Sequence, residues 1–210
     1  MQNQIRCWLL AIILLCVSGA PVFAENELPI PTDDLAYCST CHGVQLMGNP
    51  ILKAPRLSGM ESWYIENQLQ SFKKGWRGTH EGDVVGMEMR PMAAALSDEQ
   101  INQAAEYVSA TRSALPASSV VGDIDKGKVL FTTCGACHGQ SAEGDPAFGS
   151  PMLTTVDDWY LVTQLKNFKS GIRGSHPGDI YGMQMRASTQ LLTDEQAIMD
   201  VVSYISTLRK

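Results

Sequence analysis

Four cysteines and two histidines stand in one repeated arrangement: Cys38, Cys41 and His42 in "CSTCHG", and Cys134, Cys137 and His138 in "CGACHG". Paired thiols at this spacing fit four chemistries. A single zinc could take both pairs, but they lie 96 positions apart, far from a zinc-ribbon spacing, and zinc gives the adjacent histidines no role. A redox-active dithiol calls for a βαβ setting, for which the sequence has no signal. Small-loop disulfides suit an oxidising compartment but again leave the histidines unused. Covalent haem attachment uses all three residues, because each thiol adds to a vinyl group and the next imidazole is carried under the macrocycle to the iron. The spacing therefore predicts two covalently bound haem c groups, with His42 and His138 as iron ligands.

The elements that position these residues are duplicated with them. Shifted by 96 positions, "WYIENQLQSFKKGWRGTHEGDVVGMEMR" superposes without a gap on "WYLVTQLKNFKSGIRGSHPGDIYGMQMR". Between Cys38 and Gln100, 28 of 63 positions match their partners, which marks duplication of a whole unit rather than a solenoid repeat. Each unit is near the size at which a bound cofactor must help to fill the core. The seam is "RSALPASSVVGD", rich in Ser and Ala and without apolar periodicity. We expect a signal over 1–24, a first domain over 25–111, a linker over 112–122 and a second domain over 123–210.

Within each half the signals are helical. "SDEQ" at Ser97 and "TDEQ" at Thr193 read as capping boxes opening terminal helices that end near Thr111 and Leu208. A middle helix is expected from Trp63 to Lys73 and from Trp159 to Lys169, stopped by Gly75 and Gly171. "DIDKGKVLFTTC" reads as a further short helix with Asp123 or Asp125 as its cap, whereas the first half offers only "PTDDLAYC" before its motif. No sustained alternation of apolar and polar residues is present, so the fold class is all-α.

The N-terminus, "IRCWLLAIILLCVSGAPVFA", has one basic residue, a short apolar run and small residues at a cleavage position, the pattern of an export signal. The run is short for a membrane anchor, and Leu15 before Cys16 argues against a lipoprotein. Cleavage removes Cys7 and Cys16 and leaves every remaining cysteine inside a haem motif. The formal net charge of -6 argues against nucleic acid and suits a basic patch on a protein partner.

The sixth iron ligand separates a carrier from a catalyst, because a thioether closes the iron whereas an open position admits small molecules. Met87 and Met183 recur, as do Met89 and Met185, and so do His80 and His176; Met92 faces Ser188. The residues alone leave methionine and histidine both open.

"CSTCHG", "CGACHG", "APRLSG", "WYIENQL" and "MRPMAAALSDEQ" resemble the class I cytochromes c, and two such units in tandem after a signal are similar to the dihaem cytochrome c4 group. The resemblance covers about residues 33 to 208. It implies Met89 and Met185 as sixth ligands, eight residues before Ser97 and Thr193, with Met87 and Met183 as neighbours able to substitute. It also implies that the carbonyls of Pro55 and Pro151 accept the free N–H of His42 and His138. Arg77 and Arg173, repeated beside Gly78 and Gly174, are candidates to pair with haem propionates or are solvated. Gly59 facing Thr155, and the "RGTHEGD" and "RGSHPGD" segments, depart from the pattern.

The expected function is that of an exported, periplasmic carrier of single electrons and not an enzyme. Its partners are redox proteins: a quinol–cytochrome c reductase or a dehydrogenase as donor, a terminal oxidase or reductase as acceptor. Membrane association comes only through those partners or an uncleaved signal. Two alternatives are a cytochrome subunit of a larger complex and a dihaem peroxidase. A sulfur-compound dehydrogenase needs a cysteine thiolate on one iron, and no cysteine is spare.

Overall fold

The computed structural model describes residues 35–209; the expected signal at 1–24 lies outside them. The described residues form eight α-helices and no strand. The helices are α1 (Ser39–His42), α2 (Ser62–Lys73), α3 (Val84–Ala94), α4 (Asp98–Ala110), α5 (Ile124–His138), α6 (Asp158–Lys169), α7 (Ile180–Thr189) and α8 (Glu195–Thr207). The only strand-like pairings among them are two isolated bridges, Asn49 with Ala54 and Asp145 with Ser150, at matching places in the repeat.

Local chemistry explains most boundaries. Ser97 and Gln100 close a full capping box on α4, and Asp123 caps α5 by accepting the Lys126 N–H. At the other terminal helix the expectation shifts by one residue. Thr193 bonds Asp194 Oδ2 instead, and Asp194 is the cap that accepts the Ala197 N–H. The methionine segments, for which the sequence reading named no helix, form α3 and α7. Asp83 and Asp179 cap them by accepting the N–H groups of Gly86 and Gly182.

Apolar residues at helical spacing build the core. On α4 the buried stripe is Ile101, Ala104, Ala105 and Val108, and on α8 it is Ala197, Ile198, Val201, Val202 and Ile205. α4 packs on α2, and α8 packs on both α5 and α6. One continuous buried cluster joins Leu46, Met60 and Ile65 of the first half to Phe131, Leu161 and Ile198 of the second. In the first half, described helix before the histidine is limited to the 3₁₀ turn Leu35–Cys38 and α1.

Residues 111–123 have no regular secondary structure, yet charged groups from both halves hold them. The Arg56 guanidinium bonds the Ser113 and Ala114 carbonyls at 2.6 and 2.8 Å. Asp158 accepts from Ser118 Oγ and from the Val120 N–H, both at 2.8 Å, and Arg209 Nη1 donates to the Pro116 carbonyl at 3.4 Å. The departures from the family pattern fall where the halves meet. A β-carbon on Gly59 would touch Thr155 Cγ2 at 3.8 Å and one on Gly82 would press on Ile172 Cδ1 at 3.0 Å, and the His176 ring stacks on Trp76 with centroids 5.9 Å apart. His80 and His176 each accept, at Nδ1, the N–H of the glycine two residues on.

Candidate haem-binding sites

Each histidine of the repeated motif is the last residue of a helix, α1 or α5, closed by a glycine with φ of 77° or 79°. The helical turn puts the two cysteines at i and i+3, on one side of the helix. Cys41 and Cys137 are exposed, whereas Cys38 and Cys134 are partly buried. Burial pushes the Cys38 and Cys134 thiols up. A redox dithiol needs the reverse shift, which weighs against that chemistry.

His42 and His138 are buried. Their Nδ1 atoms lie 2.7 Å from the Pro55 carbonyl and 2.9 Å from the Pro151 carbonyl. A carbonyl only accepts, so Nδ1 carries the proton and Nε2 keeps a free lone pair, the tautomer that a metal ligand requires. Burial pushes both imidazoles down and the carbonyls oppose it. Both remain neutral donors.

A cavity of about 560 Å³ opens in the first half and is lined by both His42 and Met89. That volume lies in the range of cofactor pockets. Leu57, Met60, Ile65 and Phe72 make it apolar, while Trp159 and Tyr160 of the second half close one side. Met87 is 49% exposed and His80 is exposed, and neither lines this cavity. Of the candidates in the first half, Met89 lines the same cavity as His42. In the second half Met185 is partly buried and Met183 is 45% exposed, the same division.

Arg77 and Arg173 are buried, not solvated. Each guanidinium stacks on a phenylalanine of its own half, Arg77 on Phe72 at 4.3 Å and Arg173 on Phe168 at 4.4 Å. Their hydrogen bonds cross between the halves. Arg77 reaches Gln68 at 2.7 Å, Tyr160 at 3.3 Å and Gln164 at 3.4 Å. Arg173 reaches Gln164 at 2.8 Å and Gln68 at 2.6 Å. Among the described residues neither has a carboxylate partner within 4.0 Å, and the Nε atom of each lacks any partner. Two buried cations with unfilled donors call for anions, and Arg77 lines the cavity. An apolar slot lined by a histidine and a methionine, with the buried Arg77 at its edge, fits a haem with its propionates. Sequence reading missed Gln68, Gln164 and Tyr160; the recurrence of Tyr64 with Tyr160 and of Gln68 with Gln164 was the available signal.

The family model "Cytochrome c" matches residues 31–112 and again 124–209. The thiosulfate dehydrogenase electron acceptor of Stutzerimonas stutzeri (strain A1501) is 32% identical over 165 residues, covering 71% of each chain. Cytochrome c-552 of Acidithiobacillus ferridurans is 28% identical over 217 residues, 98% of this chain and 89% of that one. The crystal structure of reduced cytochrome c4 from Pseudomonas stutzeri superposes with a TM-score of 0.65 at 28% identity, over 83% of this chain and 94% of that chain. With two haem-attachment motifs in tandem on this all-α frame, the chain belongs to the cytochrome c family and is a cytochrome c4-like electron carrier with two covalently bound haem c groups.

Proposed function

We propose that His42 and Met89 bind the first iron and His138 and Met185 the second, in domains of residues 25–111 and 123–210 joined by a linker at 112–122. Cys38, Cys41, Cys134 and Cys137 form the thioethers. The carbonyls of Pro55 and Pro151 orient the imidazoles, and Arg77 and Arg173 neutralise haem propionates. The observation that carries this reading is that His42 and Met89 line one and the same apolar cavity. The haem supplies reversible one-electron chemistry; these residues fix its orientation and keep water and small ligands from the iron.

The protein works in the periplasm as a carrier and not as an enzyme. The recurrence of Met87, Met89 and Arg90 as Met183, Met185 and Arg186 favours two like irons over one closed and one open. It takes electrons from a membrane quinol-oxidising complex or a dehydrogenase and delivers them to a terminal oxidase or reductase. A relative named as the electron acceptor of thiosulfate dehydrogenase supports a dehydrogenase as donor. Among the described residues no helix is long and apolar enough to cross a membrane. The test is a turnover assay with purified donor and acceptor complexes. Added protein should raise electron flux between them in proportion to its concentration, and consumption of peroxide by the protein alone would overturn the carrier reading.

A further inference from the structure

The peptide unit between Pro55 and Arg56 is hydrogen-bonded at both ends. Its carbonyl accepts from His42 Nδ1 at 2.7 Å. Its N–H crosses to the other half and donates to Asp157 Oδ2 at 2.8 Å. The unit between Pro151 and Met152 repeats this arrangement. Its carbonyl accepts from His138 at 2.9 Å, and its N–H donates to Glu61 Oε2 of the first half at 2.9 Å. Glu61 and Asp157 occupy matching positions of the duplication, so the pattern runs both ways across the interface.

Two further observations mark these contacts as built. Glu61 and Asp157 hold the N-cap positions of α2 and α6, where an acidic side chain ordinarily accepts an N–H of its own helix. Neither accepts a main-chain N–H of its own helix here, although the Trp63 side chain also donates to Glu61. Each is turned instead toward the opposite half. Gly48 and Gly144, with φ of 90° and 81°, leave the room this needs. A β-carbon on Gly48 would stand 2.7 Å from the Arg56 nitrogen and 2.8 Å from Asp157 Oδ2, and one on Gly144 would stand 2.5 Å from the Met152 nitrogen.

We propose that Asp157 and Glu61 are positioning residues that set the reduction potential of the haem in the opposite half, each acting through the peptide that holds that haem's histidine. The inference rests on His42 and His138 as iron ligands. A carboxylate accepting the peptide N–H polarises the amide and makes its carbonyl a stronger acceptor. The stronger acceptor draws on the Nδ1 proton, and the imidazole becomes a richer donor at Nε2. A richer axial donor favours the oxidised iron, so each carboxylate lowers the potential across the interface. Asp157 is buried, and burial pushes its carboxyl up while the Arg56 N–H and guanidinium hold it back.

The experiment is spectroelectrochemical titration of the holoprotein, with the two haems resolved by their NMR methyl signals. Asp157→Asn keeps an acceptor oxygen and removes the charge. It should raise the reduced-to-oxidised ratio of the first-half haem about tenfold at a fixed applied potential, about 59 mV for one electron. The second-half haem should stay where it was. Glu61→Gln, at the less buried of the two sites, should do the converse, and Asp157→Glu should restore the first-half haem. The His42 Nδ1–H proton signal should move together with the potential; a charge acting only through space would shift the potential and leave that signal in place, and a purely structural role would lower the melting temperature with neither potential moved. Either result overturns the proposal. A wild-type holoprotein lacking histidine ligation in its NMR spectrum would instead overturn the ligand assignment on which it rests.

Discussion

Gly127 of α5 lies against the main chain of Asp200 in α8, so closely that a β-carbon on residue 127 would stand 2.0 Å from the Asp200 carbonyl oxygen. The crossing brings Phe131 against Tyr204, ring centroids 5.4 Å apart, and anchors the helix that ends in His138. Gly127→Ala forces the helices apart. It should cost about 1–3 kcal/mol, the usual range for overpacking a tight contact. Thermal melts should show the second-half haem loosening first, because no described helix in the first half depends on this crossing.

Met89 and Met87 are two residues apart on α3, but only Met89 lines the cavity with His42. Met89→Ala should open the first iron to carbon monoxide and remove half of the far-red methionine-to-iron absorption. Met87→Ala should leave both unchanged. Met185→Ala and Met183→Ala should repeat the contrast in the second half.

Arg77 joins the halves through Gln68, Tyr160 and Gln164. Replacing it by Ala removes charged donors from buried acceptors, which should cost about 2–3 kcal/mol, read from urea denaturation of the holoprotein. Arg77→Lys should recover little, since an ammonium on a flexible stem cannot reproduce the fork or the stacking on Phe72.

Asp158 gives a pH dependence of known sign. Burial pushes its carboxyl up, but donors from Val120, Ser118, Ser119 and Trp159 outweigh that and hold it below its ordinary 3.8. The unfolded chain therefore takes up this proton before the folded protein does. The contribution to stability is complete above the ordinary value and is lost as pH falls through the folded one. Urea midpoints should show wild type well above Asp158→Asn at about pH 7, with the gap narrowing below about pH 4.

What could be read from the sequence follows the range of each interaction. Haem attachment was legible because its chemistry is confined to five consecutive residues, α2 and α6 because a glycine stop is a local signal, and α4 because a capping box is one. α3 and α7 were not. Nothing in the segment announced that Asp83 turns back onto the Gly86 N–H. The interface was the least legible part. Arg77 and Gln164 are 87 residues apart, and Arg56 and Asp157 are 101 apart. No local pattern links such pairs, although the recurrence of Arg and Gln at a fixed offset marked them as fixed points of the duplication.

The most direct measurement is the visible and far-red absorption of the purified holoprotein, oxidised and then reduced, with and without carbon monoxide. Two closed irons held between histidine and methionine should give a far-red band scaled for two haems and no response to carbon monoxide. A missing band, or uptake of carbon monoxide by either haem, would contradict the assignment of Met89 and Met185 and with it the reading of this protein as an electron carrier.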